Sequence, residues 1–194
     1  MERMLFINKF MDKSIRKYLL SLARNTIAEE LGIIHESVVI PKEAAILKEK
    51  RGVFVTLEME GALRGCIGNI SPVYNLENGV YRNAINAAFY DPRFYPLTKE
   101  EFGNIKIEIS VLTVPEKLEY KNTVDLLEKL RPLKDGVILE KSGHEATYLP
   151  QVWEELSDKE KFLGSLCVKA GMNYDEWKKG DVKVMTYQAE VFGE

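Results

Sequence analysis

Two segments with the character of β-strands lie close together near the middle of the chain, and their spacing restricts the fold more than any other feature. Residues 51–58, with the sequence RGVFVTLE, alternate in polarity and are rich in β-branched side chains. Met59-Glu60-Gly61 is a turn signal, and residues 62–69 continue as a second extended segment. Because so short a connection cannot carry a crossover, the pair predicts an antiparallel hairpin.

The other periodic segments are helical and extended, without the regular strand–helix–strand order of a parallel sheet. Apolar side chains at helical spacing from Ile15 to Ile27 predict an amphipathic helix that ends at Gly32. A second helix is predicted to begin at Ser71-Pro72. Further predicted elements are a strand over 105–113, a helix over 123–130, a hairpin of 137–140 and 146–149, a helix after a capping box at 157–160, and a strand over 182–192. We therefore predict an α+β fold with mixed, largely antiparallel sheets and packed helices.

Composition and charge exclude several classes of protein. With 45% hydrophobic and 29% charged residues, the chain has the composition of a globular protein rather than a disordered one. The formal net charge of −3 argues against a protein that coats nucleic acid non-specifically, although two basic stretches leave local nucleic-acid binding open. We favour the interpretation that these stretches are solvated helix faces. They contain Lys9, Lys13, Arg16 and Lys17, and Lys42, Lys48, Lys50 and Arg51.

Cysteine usage and the N-terminal segment indicate the cellular compartment. Cys66 and Cys167 lie far apart and form no Cys-x-x-Cys motif, so a disulfide framework is not expected. Residues 1–12 are too short and too polar for a signal peptide. The longest uncharged stretch contains glycine and proline and is too short to span a bilayer. We expect a cytoplasmic protein.

The candidate functional site is the segment Leu63-Arg64-Gly65-Cys66-Ile67-Gly68. Strand alternation would place Arg64, Cys66 and Gly68 on one face, where the guanidinium would stabilise the Cys66 thiolate as a nucleophile. Glycines inside a strand mark a bulge or a close approach by a backbone or a ligand, so Gly65 and Gly68 are candidate binding residues, and Gly68 would leave open space. The alternative is that Cys66 is an inert, buried thiol.

Other candidate residues each have a structural alternative. The charge of Asp91 could be offset locally by Arg93, or Asp91 could contact Arg64 or a ligand, or it could begin an ordinary Asp-Pro turn. Arg93 is likewise a candidate ligand-binding residue. Gln151 could line a pocket, whereas Cys167 and Trp153 are expected in the core. His144 would suit thiol chemistry only if it lay near Cys66. The spacing of potential ligands predicts no metal site, and no cofactor motif is present.

Five segments resemble the AMMECR-one domain family, also called AmmeMemoRadiSam system protein A. They are LRGCIG, NAINAAFYDPRFYPLT, IEISVLT, ATYLPQVW and FLGSLCVKAG. The resemblance extends over about residues 12–190 and implies one domain over 12–192, built as a larger and a smaller subdomain. The polar break at 114–122 is the candidate border between them. The family is described as uncharacterised, and its genomic context implies partnership with a Memo-like protein and a radical-SAM enzyme.

Three functions are consistent with the sequence. The favoured hypothesis is a ligand-binding or accessory module that acts with partner enzymes through a pocket around Arg64 and Cys66. The first alternative is an enzyme with Cys66 as nucleophile, acting on a small anionic or RNA-borne substrate. The second is a nucleic-acid-binding protein that uses the local basic stretches.

Overall fold

The fold consists of two compact units. A computed structural model describes residues 11–35, 37–42 and 44–194, so that Lys9 lies outside the described residues. The first unit extends to Val111 and includes Glu190–Glu194, and the second covers Leu112–Ala189. The proposal of a domain border at 114–122 stays a prediction.

Five α-helices and eight β-strands make up the regular structure of the described residues, which confirms the predicted α+β class. The helices are α1 Lys13–Glu30, α2 Leu76–Phe89, α3 Lys99–Phe102, α4 Thr123–Lys129 and α5 Lys159–Lys169. The strands are β1 Val53–Met59, β2 Ala62–Asn69, β3 Ile105–Leu112, β4 Glu116–Lys117, β5 Gly136–Lys141, β6 His144–Tyr148, β7 Lys183–Tyr187 and β8 Ala189–Gly193.

The first unit is built around an antiparallel sheet with the strand order β2-β1-β3-β8. The predicted hairpin is confirmed, because β1 and β2 pair in antiparallel register from Val53 opposite Asn69 to Met59 opposite Ala62. The alternate residues of β1 and β3 that point to the helices are buried together with the apolar faces of α1 and α2. Since β2 lies at the edge of this sheet, its outward backbone groups need partners from outside the sheet.

Helix α2 begins later than predicted. The sequence places its start at Ser71-Pro72, whereas the first helical residue is Leu76. The side chain of Asn75 accepts a hydrogen bond from the backbone N–H of Asn78 at 2.9 Å, and this cap defines the helix start more strongly than the preceding proline.

The second unit contains a sheet of order β4-β7-β5-β6. Its core confirms two predictions, because Cys167 is fully buried and Trp153 stacks on Phe162 with 3.6 Å between ring centroids. The Trp153 indole donates to the Asp135 carbonyl oxygen at 2.7 Å. Helix α5 is capped by Asp158 rather than by Ser157, since the Asp158 carboxylate accepts the Lys161 N–H.

The single final strand predicted over 182–192 is two strands. The chain is extended over Lys183–Tyr187 in the sheet of the second unit and over Ala189–Gly193 in the sheet of the first. Gln188 separates them, and its backbone N–H donates to the Thr113 hydroxyl oxygen at 2.9 Å instead of to a strand ladder. None of the helices in the described ranges has the length and apolar character that crossing a membrane requires.

Candidate functional site

Two glycines of β2 stand where no larger residue would fit. A Cβ atom on Gly65 would lie 2.1 Å from the carbonyl oxygen of Ala87, so the last turns of α2 rest directly on the strand. A Cβ atom on Gly68 would lie 2.2 Å from the ring of Phe54 on β1. The expectation of open space beside Gly68 is therefore wrong, because the Phe54 ring fills that space.

Strand β2 carries a β-bulge at Arg64. The pairing register with β1 shifts between Leu57 and Glu58, which leaves Arg64 as the extra residue of β2. A bulge interrupts the alternation of side chains between the two faces of a sheet. The expectation that Arg64 and Cys66 share a face depends on unbroken alternation, and the bulge removes that basis.

The Arg64 guanidinium binds a carboxylate on the neighbouring helix α3. Its Nε and Nη2 atoms donate to the two carboxylate oxygens of Glu101, each at 2.9 Å, and Nη2 also donates to the Tyr95 carbonyl oxygen at 3.0 Å. Glu101 in turn accepts the backbone N–H of Thr98 in a capping box. The Arg64 hydrogen bonds lower the pKa of Glu101. The remaining Nη1 atom of Arg64 is buried and has no hydrogen-bond partner among the described residues.

The Asp91 carboxylate holds the edge of β2 at Cys66. One of its oxygens accepts the Cys66 backbone N–H at 2.9 Å, and the two oxygens accept Nε and Nη2 of Arg93 at 2.9 and 2.7 Å. Arg93 completes the clamp by donating to the Cys66 carbonyl oxygen at 3.2 Å. The carboxylate and the guanidinium thus take the place of a neighbouring strand. The Arg93 hydrogen bonds, with the N–H groups of Cys66 and Arg93, hold the pKa of Asp91 well below its ordinary value.

The Cys66 thiol is half-buried and contacts a hydroxyl. Thr56 lies directly opposite on β1, and its Oγ1 donates to the Cys66 sulfur at 3.3 Å. On the next strand, Glu108 lies opposite Thr56. Burial, together with the nearby charge of Glu58, raises the pKa of Glu108. A thiol, a hydroxyl and a carboxylate therefore form one row across three strands.

A cavity of about 330 Å³ lies against the Arg64 side of this arrangement. The ring of Phe94 is close to both guanidiniums, with its centroid 5.9 Å from Cζ of Arg64 and 5.5 Å from Cζ of Arg93. The cavity wall thus combines two cations with aromatic and proline surface, a combination suited to a small anionic ligand. Its lining residues are Arg64, Arg93, Phe94, Tyr95, Pro96, Thr98 and Glu101.

Two other candidates lie in the second unit. Gln151 is an exposed residue of the short helical turn Pro150–Glu154. His144 begins β6, where its Nδ1 atom lies 3.0 Å from the Ala170 carbonyl oxygen. Within the described part of the chain, no group of three His, Cys, Asp or Glu side chains is arranged to hold a metal ion.

The sequence patterns indicate Arg64 and Arg93 but not Glu101, Thr56 or the other residues of the cavity wall, which are Phe94, Tyr95, Pro96 and Thr98. One signal was present, because Thr98 followed by Glu101 is the spacing of a capping box and marks an ordered acid. No local pattern indicates that this acid meets Arg64, which lies 37 positions away in the sequence.

Comparisons with known proteins agree on one family of archaeal relatives. The chain is 39% identical to protein MJ0810 of Methanocaldococcus jannaschii over 162 residues, which cover 82% of this chain and 81% of the relative. It is 43% identical over 150 residues to a protein of Methanothermobacter thermautotrophicus, covering 77% of this chain and 78% of the relative. The crystal structure of PH0010, an uncharacterized protein from Pyrococcus horikoshii, matches with a TM-score of 0.79 at 40% identity, covering 95% of this chain and 93% of that chain.

The sequence profile of one family matches residues 20–192, which include both compact units. The resemblance inferred from LRGCIG and the four other segments is thereby confirmed. The chain belongs to the AMMECR1 family.

Proposed function

We propose that the protein is a binding module for a small ligand with a carboxylate or phosphate group, which enters the cavity between Arg64 and Arg93. The observation that carries this proposal is the shared geometry of the two arginines. Each guanidinium is fixed by a carboxylate through its Nε and Nη2 atoms, and both line the same cavity.

This geometry fixes both guanidiniums before a ligand arrives. Nη1 of Arg93, whose side chain is 54% exposed, is left for a ligand, whereas Nη1 of Arg64 has no exposed surface. The hydrogen bonds of Arg64 and Arg93 within the described residues use only Nε and Nη2. Donors held in place before binding lose little conformational freedom when a ligand arrives. Glu101 and Asp91 each pair with one of the two guanidiniums, so hydrogen bonds to donors already in place would hold the anionic group, with Phe94 and Tyr95 covering the apolar part of the ligand.

Binding rather than covalent catalysis is the favoured function because the Cys66 thiol does not line the cavity. The Cys66 sulfur accepts from Thr56, and Cys66 is not among the residues that line the cavity. The role of an accessory to a Memo-like protein and a radical-SAM enzyme is consistent with a module that holds a ligand without transforming it. The interaction with these two partner proteins is part of the proposal.

The proposal is tested by removing the Arg64–Glu101 pair as a unit. The double variant Arg64→Gln with Glu101→Gln keeps the charge balance and removes one of the two guanidiniums that line the cavity, so we expect the affinity for inorganic phosphate or glutarate to fall by about tenfold or more. Two-dimensional NMR titration of the backbone amides of Phe94 and Tyr95 measures this affinity.

The matched control is Arg131→Gln combined with Asp135→Asn, because Arg131 also pairs with a buried carboxylate, that of Asp135, but in the second unit. This control should bind both probes as the wild type does. The proposal is wrong if neither probe gives saturable shifts in the wild type, or if the double variant and the control bind equally well.

The row of Cys66, Thr56 and Glu108 favours thiol chemistry as a second candidate function. Cys66 is partly accessible, whereas Cys167 is fully buried and its burial raises the pKa of its thiol. We expect iodoacetamide to modify native Cys66 at least about a hundredfold faster than Cys167, as measured by peptide mass spectrometry over time. If the hydroxyl contact controls the reactivity of the thiol, Thr56→Val should change the rate at which iodoacetamide modifies Cys66. Equal rates at both cysteines would exclude this candidate.

A further inference from the structure

A second cavity in the first unit lies between helix α1 and the end of the chain. Its volume is about 460 Å³, and four basic side chains of α1 line it. Leu20 and Phe192 supply its apolar surface. The basic residues are Lys13, Arg16, Lys17 and Arg24. We call this feature the α1 groove.

The two arginines of the α1 groove already bind carboxylates of the same chain. Arg16 pairs with Glu190 at 2.7 Å. The Nε atom of Arg24 donates to a carboxylate oxygen of Glu194 at 2.7 Å, and its Nη2 donates to the Ile105 carbonyl oxygen at 2.9 Å. The α1 groove therefore already accommodates carboxylate groups.

The remaining cationic groups of the groove have unused binding capacity. Lys13 and Lys17 are exposed, and neither makes an ion pair with any described residue. The Nε atom of Arg16 is buried without a hydrogen-bond partner in the described part of the chain. Because this atom has no exposed surface, a ligand can meet Arg16 only through the rest of its side chain, which is 32% exposed.

We propose that the α1 groove binds an acidic segment of a partner protein, in which carboxylates flank an apolar side chain. The carboxylates would meet Lys13, Lys17 and Arg16, and the apolar side chain would cover Leu20 and Phe192. This interaction is independent of the ligand proposed for the cavity at Arg64 and Arg93.

An acidic peptide fits the groove better than a nucleic acid does. The arginines of the groove hold carboxylates, and the apolar surface between the cations matches a side chain such as Leu or Phe. Charge complementarity of this kind determines the specificity and the rate of association.

The test is fluorescence anisotropy with a short labelled peptide in which Glu-Asp pairs flank a central Phe-Leu pair. We expect the full chain to bind it, with an affinity that falls as NaCl is raised. The amide counterpart, with Gln-Asn pairs, should bind at least about tenfold more weakly. Lys13→Glu combined with Lys17→Glu should lower the affinity for the acidic peptide by about tenfold or more.

The matched control is Lys134→Glu combined with Lys161→Glu, which makes the same change of net charge at exposed lysines of the second unit. This control should bind as the wild type does. Equal losses in both double variants, or equal binding of the acidic and amide peptides, would overturn the proposal. Tighter binding of single-stranded oligo(dT), lost on reversal of Lys13 and Lys17, would assign the groove to nucleic acid instead.

Discussion

Replacing Gly65 with alanine should destabilise the first unit by about 3 kcal/mol or more, because the new methyl group would clash with the backbone of α2. Its Cβ would lie 2.1 Å from the oxygen and 3.1 Å from the carbon of the Ala87 carbonyl group. Both atoms belong to the backbone of α2, so no side-chain rotation relieves the clash. Urea unfolding followed by circular dichroism measures the effect as a lower free energy of unfolding.

The control for this prediction is Gly103→Ala. Gly103 ends α3 with a φ of −69°, and nothing lies within 4 Å of the position that its Cβ would take. This substitution should leave the free energy of unfolding unchanged or raise it by a few tenths of a kcal/mol, through the lower entropy of the unfolded chain. If the two alanine variants were equally stable, the close approach of α2 to β2 would not be the reason for Gly65.

The close approach at Gly65 also explains how the clamp on Cys66 is built. The contact at Ala87 comes near the end of α2, and the chain then turns at Asp91. A side chain at position 65 would push this end of the helix away from β2. The Asp91 carboxylate would then no longer reach the Cys66 N–H. The clamp on Cys66 therefore depends on both Gly65 and Asp91.

The local elements of this region can be predicted from the sequence, whereas the contacts between residues far apart in the sequence cannot. The hairpin of β1 and β2 follows from local alternation and a turn signal, and the glycines correctly indicate a close approach. The Arg64–Glu101 pair joins residues 37 positions apart, and no periodicity within either segment encodes it. The bulge at Arg64 changes the direction of one side chain, although the composition of β2 still predicts a strand.

Asp91 shows how a locally correct interpretation can miss a long-range contact. The sequence indicates that Arg93 could offset the charge of Asp91, and the structure contains this pair. It also contains the bond from the Cys66 N–H, which depends on the position of α2 over β2. Strand β2 lies at the edge of its sheet, so the outward backbone groups of Cys66 require such a partner.

Removal of the Asp91 carboxylate is the second substitution with a large expected effect. Its side chain is only 1% exposed, and Asp91→Ala leaves the Cys66 N–H and the Arg93 guanidinium without their acceptor. We expect a loss of about 2–4 kcal/mol in the free energy of unfolding, since a buried donor without a partner is costly. Asp175→Ala is the control, because that side chain is 68% exposed and its loss should be undetectable.

The free energies of unfolding of the wild type and Asp91→Asn, compared over a range of pH, separate the effect of the Asp91 charge from the effect of its shape. Arg93 holds the pKa of Asp91 well below its ordinary value in the folded state, so the ionised carboxylate stabilises the fold at pH values above its unfolded pKa of about 3.9. This contribution is lost as the pH falls through that value toward the folded pKa. The stability gap between wild type and Asp91→Asn should therefore be largest at about pH 6–7 and should narrow below about pH 4. A gap that stays constant between about pH 7 and pH 3 in urea unfolding would mean that the Asp91 charge does not stabilise the clamp.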